Sequence, residues 1–467
     1  MTDSLPVLLL VGLPASAALV IPLMEKREKM ARLTALAVLA AISLLTIAIL
    51  ASLGAVEKIG SFYALTGVGM AIIFYATISE LLAVYGSEVT LSWPTGAAFQ
   101  SLALIMLTGV YVTALSKDLL TLISGWILTS IASYAMTALA KDNPSAEGAA
   151  KYAIMGSASS TLLFLGVAVT FASLRGLDMG SQIAAPLPTL LLISILFIAA
   201  TGFKMGVFPF HGWLPDTYGI TYPAIISAIS LVAKALAVIV LFKVSSLLVQ
   251  SLGVNWLYLI ALFSILTMLY GNLGALLQDN AQRLLAFSSI AHAGYLLIGF
   301  ASLAPMAGSI PAWGLAGLLT QYAAYSLGKV GSFLALSVVK ETRGSTELET
   351  LKGLGREDPV LAGAFTVLLL SLMGMPPLLG FWGKLFLFAS VAFSAPWLTA
   401  IALLNTAISV AYYARIIKAM YFEAGGALPS PARTDLKAAR RAVIIAAVLS
   451  VLLGLGPSQA LAFYSVK

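Results

Sequence analysis

The sequence predicts an all-α membrane protein of about 14 transmembrane helices, and three observations carry that expectation. Of its 467 residues, 60% are hydrophobic and only 10% charged, whereas a soluble domain carries about 25% charged residues. Mean hydropathy is +1.00. Apolar runs of about 20 residues, the length that crosses a bilayer as a helix, recur along the whole chain. In lipid the backbone finds no water to bond, so such runs cross as helices with internal hydrogen bonds.

The runs fall near 4–24, 31–53, 62–85, 97–115, 118–140, 150–173, 187–210, 222–243, 255–277, 283–304, 312–338, 359–392, 397–422 and 439–463. The first has no basic leader and no small-residue cleavage site, so it reads as a retained helix. The second follows the charged loop EKREKMAR, and the third carries Glu80 in FYATISELLAVYG. Asp118 stands at the start of the fifth. Glu147 and Lys151 open the sixth, four residues apart and able to pair on one helix face. The seventh runs apolar through Lys204 and then meets FPFHGWLPD, with His211, Pro209 and Pro215. The eighth holds Lys234 in its middle. The tenth holds His292, which Ser288, Ser289 and Tyr295 can surround with hydroxyls. The eleventh holds Lys329 on a face with Gln321, Tyr322, Tyr325 and Ser326. The twelfth is interrupted by GMPPLLGFWGK, placing Pro376 and Pro377 just before Lys384, and the thirteenth contains Arg415. Loops are short and no soluble domain is inserted.

The two interrupted helices, the seventh and twelfth, stand five apart. Proline frees backbone carbonyls that must then find a cavity or side chains, and paired breaks of this kind mark an internal repeat with a transport site between its copies. An odd number of helices inverts the second copy. The expected divisions are residues 1–96 for helices one to three, 97–245 and 250–425 for the inverted five-helix repeats, and 426–467 for the last helix. Sixteen of the 26 Lys and Arg residues fall in loops after odd-numbered helices, and five on the other side. The rule that basic loops stay in the cytoplasm places both termini outside the cell.

Composition also excludes functions. With no cysteine and two histidines, the chain cannot ligate an iron–sulfur cluster or several haems, and neither a cofactor nor a metal is expected. Its basic balance sits in loops and does not point to nucleic acid. The functional signal is the set of buried cations. A charged side chain at bilayer depth costs roughly 2.5 kcal/mol or more and usually faces a wet interior. Lys204, Lys234, Lys329 and Lys384, with almost no acid at matching depth, therefore suggest proton or cation handling. His292 suits a relay position. Glu80, His211 and Arg415 are accessory candidates, Arg415 reading more simply as a structural side chain that reaches for the interface.

The runs KYAIMGSASSTLLFLG, GFKMGVFPFHGWLPDTY, RLLAFSSIAHAGYLL and LSLMGMPPLLGFWGKLFLF resemble the antiporter-like, proton-translocating membrane subunits of respiratory complex I and its relatives, which include membrane-bound hydrogenases, F420H2 dehydrogenases and multisubunit sodium/proton antiporters. SSIAHAGYLL and FPFHGWLPD look closest to the N-type subunit. The resemblance implies 14 helices in inverted repeats with broken helices 7 and 12, and a hydrated axis through Lys204, Lys234, His292 and Lys384. It also implies a glutamate on helix 5 beside the helix-7 lysine, and the position that aligns with it here is Ile127. Lys204 is then expected to be unpaired and neutral, or paired with a neighbouring subunit, and Lys329 stands where N-type relatives carry a small polar residue. The implied function is proton translocation in a prokaryotic plasma membrane, beside other membrane subunits and driven by redox chemistry elsewhere, with no redox site in this chain. Two alternatives stay open: a subunit of a sodium/proton antiporter, and a degenerate structural copy.

Overall fold

The computed structural model describes residues 5–53, 58–59, 63–88, 95–140, 142–174, 176, 179, 183–424 and 436–456. It is a bundle of helices whose one sheet among the described residues is a two-stranded hairpin, β1 (Lys58–Ile59) and β2 (Ala64–Leu65). In order the helices are α1 (Leu5–Val20), α2 (Glu28–Leu53), α3 (Gly67–Gly86), α4 (Gly96–Leu115), α5 (Leu119–Thr137), α6 (Asn143–Leu174), α7 (Leu187–Met205), α8 (Trp213–Ile220) and α9 (Pro223–Leu252). There follow α10 (Val254–Leu276), α11 (Ala281–Ala301), α12 (Pro311–Arg343), the single turns α13 (Leu348–Leu351) and α14 (Leu354–Glu357), then α15 (Pro359–Met373), α16 (Leu379–Val391), α17 (Pro396–Phe422) and α18 (Lys437–Gly454).

The chain is a multi-pass membrane protein. Eleven helical stretches are long and apolar enough to cross a membrane, and the first of them, Leu5–Ser52, contains both α1 and α2. With the two-piece pass α15–α16 and with α18, the described residues match the fourteen expected runs. Two expectations are corrected in detail. The seventh run does not continue to 210: α7 stops at Met205, and the chain re-enters a helix at Trp213, so Pro215 lies inside α8 rather than at the break. The eighth pass extends to Leu252, well beyond residue 243. Of the loop charges used for orientation, Lys141, Arg175, Arg433 and Lys467 lie outside the described residues, as do residues 457–463 of the last expected run.

Small residues set the helix spacing. A Cβ on Gly109 of α4 would lie 2.6 Å from the Gly125 carbonyl of α5, and one on Gly125 would lie 2.5 Å from the Gly109 carbonyl. The α10–α11 pair repeats the device: a Cβ on Gly294 would lie 2.8 Å from the Ser264 carbonyl. Without a hydrophobic drive between helices in lipid, backbone contact of this sort is a main source of association. Around these pairs, α9, α11 and α12 are almost wholly enclosed by other helices, and it is they that carry Lys234, His292 and Lys329. The polar face expected on α12 is thus an interior one.

Candidate functional site

Both interrupted passes break in the same way. At the end of α7, Gly206 takes the left-handed conformation (φ 81°), and at the end of α15 Gly374 does so (φ 93°). A glycine there closes a helix through a paired set of hydrogen bonds. Val207 N donates to Gly202 O at 2.7 Å and Gly206 N to Phe203 O, while Met375 N donates to Leu370 O at 3.0 Å and Gly374 N to Ser371 O. This pattern leaves the last helical residue's carbonyl unclaimed at the negative end of the helix dipole. In each break a lysine takes it. Lys234 Nζ donates to Met205 O at 2.5 Å and to Ser289 O at 2.9 Å, and Lys384 Nζ donates to Met373 O at 2.8 Å. Buried ammonium groups are thereby hydrogen-bonded without any carboxylate.

Between the breaks lies a connected polar track. Lys329 donates to Leu285 O at 2.7 Å and to the Ser288 hydroxyl. The Tyr413 hydroxyl lies 3.2 Å from His292 Nε2, and the His292 ring meets Tyr325 at 5.7 Å. The amide of Gln321 donates to His292 Nδ1 at 2.9 Å, which assigns that nitrogen as the acceptor. Tyr325 stands between two cations, its ring 4.8 Å from Lys234 Nζ and 5.9 Å from Lys329 Nζ, and Tyr295 lies under Lys384 at 4.7 Å. The expected shell of His292 is corrected in part: Tyr295 meets the ring edge-on at 5.9 Å, but Ser288 and the Ser289 carbonyl serve the lysines, and Gln321 and Tyr413 hold the ring nitrogens. A neutral imidazole with one donor and one acceptor nitrogen can pass a proton from one side to the other.

Lys204 sits in the last turn of α7 among rings. Its Nζ lies 4.7 Å from the centroid of Tyr134, 4.9 Å from Tyr152 and 5.9 Å from Trp126, and it donates to the Tyr152 hydroxyl at 3.2 Å. Tyr152 is itself fixed, stacked on Trp213 at 4.1 Å, and its hydroxyl accepts from Ser133. The expectation that Lys204 lacks a partner within the chain is therefore corrected. Cation–π attraction, stronger where water is excluded, stands in for the absent carboxylate. Ile127 is 37% exposed on the outer side of α5, while its neighbour Trp126 is fully buried against the cage.

The remaining candidates stand apart from this axis. His211 is buried, stacked on Phe208 (5.4 Å) and tilted against Tyr270 (4.0 Å), in the turn between α7 and α8. Arg415 pairs with Asp279 at 2.6 Å and donates to Leu276 O, tying α17 to the end of α10. Glu147 and Lys151 pair at 2.8 Å, and Asp216 joins them. Glu80 is fully buried in α3. Sequence reasoning missed Trp126, Tyr134, Tyr152 and Tyr413, along with Asn272, which bonds to Asn405 at 3.0 Å and accepts from Tyr412. Aromatic and amide side chains inside apolar runs gave the only signal.

The comparisons with known proteins agree with this geometry. The family described as "NADH:quinone oxidoreductase/Mrp antiporter, TM" matches residues 116–409, which include Lys204, Lys234, His292, Lys329 and Lys384. NADH-quinone oxidoreductase subunit N 1 of Roseiflexus castenholzii is 36% identical over 344 residues, 67% of this chain and 63% of that protein, just under two thirds of its length. F420H2 dehydrogenase subunit N of Methanosarcina mazei is 30% identical across 86% of this chain and 82% of its own. Among solved structures, a chain of respiratory complex I from Thermus thermophilus with bound aureothin aligns with a TM-score of 0.82 and 28% identity, covering 97% of this chain and 98% of that one. A chain of the Mrp complex from Dietzia aligns with a TM-score of 0.86 over 99% and 97%, but at 19% identity it bears on the fold alone.

Proposed function

The chain belongs to the NADH:quinone oxidoreductase/Mrp antiporter transmembrane family, and from that premise we propose that it is the N-type, proton-carrying membrane subunit of a complex I-like oxidoreductase. Electron transfer takes place in other chains. The observation that carries the reading is the continuous buried track Lys234–Tyr325–His292, with Lys329 beside Tyr325 and Lys384 joined through Tyr295. Every cation on it is held by carbonyls, hydroxyls or rings, none of which competes for the proton.

In this reading Lys204 receives a proton inside its aromatic cage. Lys234 and Lys329 pass it through the centre, His292 relays it, and Lys384 releases it beyond the second break. The matching breaks support the division into inverted repeats at 97–245 and 250–425, after an N-terminal unit 1–96 and before a last helix in 426–467. Loop charge supports termini outside the cell. Sequence relatives named subunit N of NADH-quinone oxidoreductase and of F420H2 dehydrogenase favour redox-driven proton movement over sodium/proton exchange, and a multisubunit assembly in a prokaryotic membrane follows from the same relatives.

The test is the proton-to-electron ratio of the intact complex in sealed vesicles. Lys384→Ala and Lys204→Ala should each lower the ratio while leaving electron transfer with an uncoupler near normal. Unchanged ratios in both variants would sink the transport reading and leave a structural role.

A further inference from the structure

Glu80 is the one fully buried carboxylate among the described residues, and the track above does not use it. Neither of its oxygens has a hydrogen-bond partner among those residues, and it makes no ion pair with a described side chain. An interior acid kept for structure normally spends its oxygens on donors. An acid at membrane depth without them is by default a group that exchanges a proton.

Its surroundings connect it to the centre. Glu80 lies on α3 within electrostatic reach of Tyr111 of α4 and Tyr322 of α12. The Tyr111 hydroxyl shares a 2.6 Å hydrogen bond with Thr77, one turn before Glu80 on α3. The Tyr322 hydroxyl donates to Leu231 O at 3.3 Å, one turn before Lys234 on α9. Three residues along α12 stands Tyr325, the ring between Lys234 and Lys329. A seam of α3, α9 and α12 thus runs from the lone acid to the two central cations.

We propose that Glu80 is a proton-holding site of the transport machinery and the counter-charge of the central lysines, coupled to them through Tyr322. When a proton leaves the Glu80 carboxyl and the free amine of Lys234 gains one, a neutral acid and a neutral amine become carboxylate and ammonium, and net charge is conserved. This inference rests on the proton-carrying reading and adds to it a site on α3, outside both five-helix repeats.

The test uses the whole complex. Glu80→Gln should lower the proton-to-electron ratio, and Glu80→Asp should restore part of it. In the redox-induced infrared difference spectrum, the wild-type complex should show a carboxylic C=O band that shifts in D2O and is lost in Glu80→Gln. Tyr322→Phe should diminish that band. A wild-type ratio in Glu80→Gln, with Lys384→Ala still impaired, overturns the role of Glu80 alone, whereas normal ratios in both overturn the reading beneath it. If the glutamine variant fails to assemble, a band unmoved in Glu80→Asp decides against the proposal.

Discussion

Removing one ring from the Lys204 cage separates the aromatic explanation from every other. Tyr134 is the cleanest target: its ring centroid lies 4.7 Å from Lys204 Nζ, and its hydroxyl is turned toward Gly156 rather than the ammonium. Its contribution is therefore the ring itself. A desolvated cation–π contact is worth about 1–2 kcal/mol, so Tyr134→Leu should reduce the charged population of Lys204 by a factor of about 5–30. Tyr134→Phe keeps the ring and should behave almost as wild type. Tyr134 also meets Tyr152 edge-on at 4.6 Å, so the leucine variant loses packing as well. Thermal unfolding of the purified complex, measured in parallel, separates lost assembly from lost charge. The readout is the proton-to-electron ratio in vesicles, compared across the Leu and Phe variants. A leucine variant pumping at the wild-type ratio would refute the cage, and so would a phenylalanine variant as impaired as the leucine one.

The second break offers a sharper stability test. Gly374→Ala forces a Cβ into a left-handed residue and sets it 3.0 Å from Lys384 Cδ; a cost of about 1–2 kcal/mol from backbone alone is expected, read as a lower thermal midpoint together with a lower proton-to-electron ratio. On the surface, Glu423 is held below the usual carboxylate range, first by its hydrogen bond to Lys352 and then by that to Lys418. A carboxyl shifted downward on folding stabilises above its unfolded pKa and loses that effect as pH falls through its folded one. Limited proteolysis of the segment after α17 should therefore speed up under acid and in Glu423→Gln, and equal rates across pH would refute the clip.

Much of this architecture was readable locally. The breaks announce themselves as Met205-Gly206 and Met373-Gly374, each followed within three residues by proline, which is a helix stop and a barrier to resumption in one phrase. Lys204, Lys234, Lys329 and Lys384 are marked because each stands in the middle of an otherwise apolar run. The first helix stops earlier than its proline implies, because the left-handed Gly206 ends it three residues before Pro209. The partners could not be read. Tyr152 reaches Lys204 from 52 residues away, and Tyr413 reaches His292 from 121 residues away. A tyrosine inside an apolar run carries no mark of the cation it will meet. The residues that answer for the acid missing at Ile127, Trp126 and Tyr134, lie on the same helix, and nothing in the local sequence marks them.

The carbonyl acceptors at Met205 and Met373 have an electrical consequence. A carbonyl neither gains nor sheds a proton, so neither acceptor changes its own charge when its lysine changes state. Each protonation there alters the local charge by a full unit, deep in a medium that screens it poorly. An elementary charge crossing the whole membrane responds to voltage by about 2.3 kcal/mol per 100 mV, and Lys234 and Lys384 each sense some fraction of that. On the proposed proton-carrying reading, the membrane voltage that pumping builds acts back on the occupancy of the two sites.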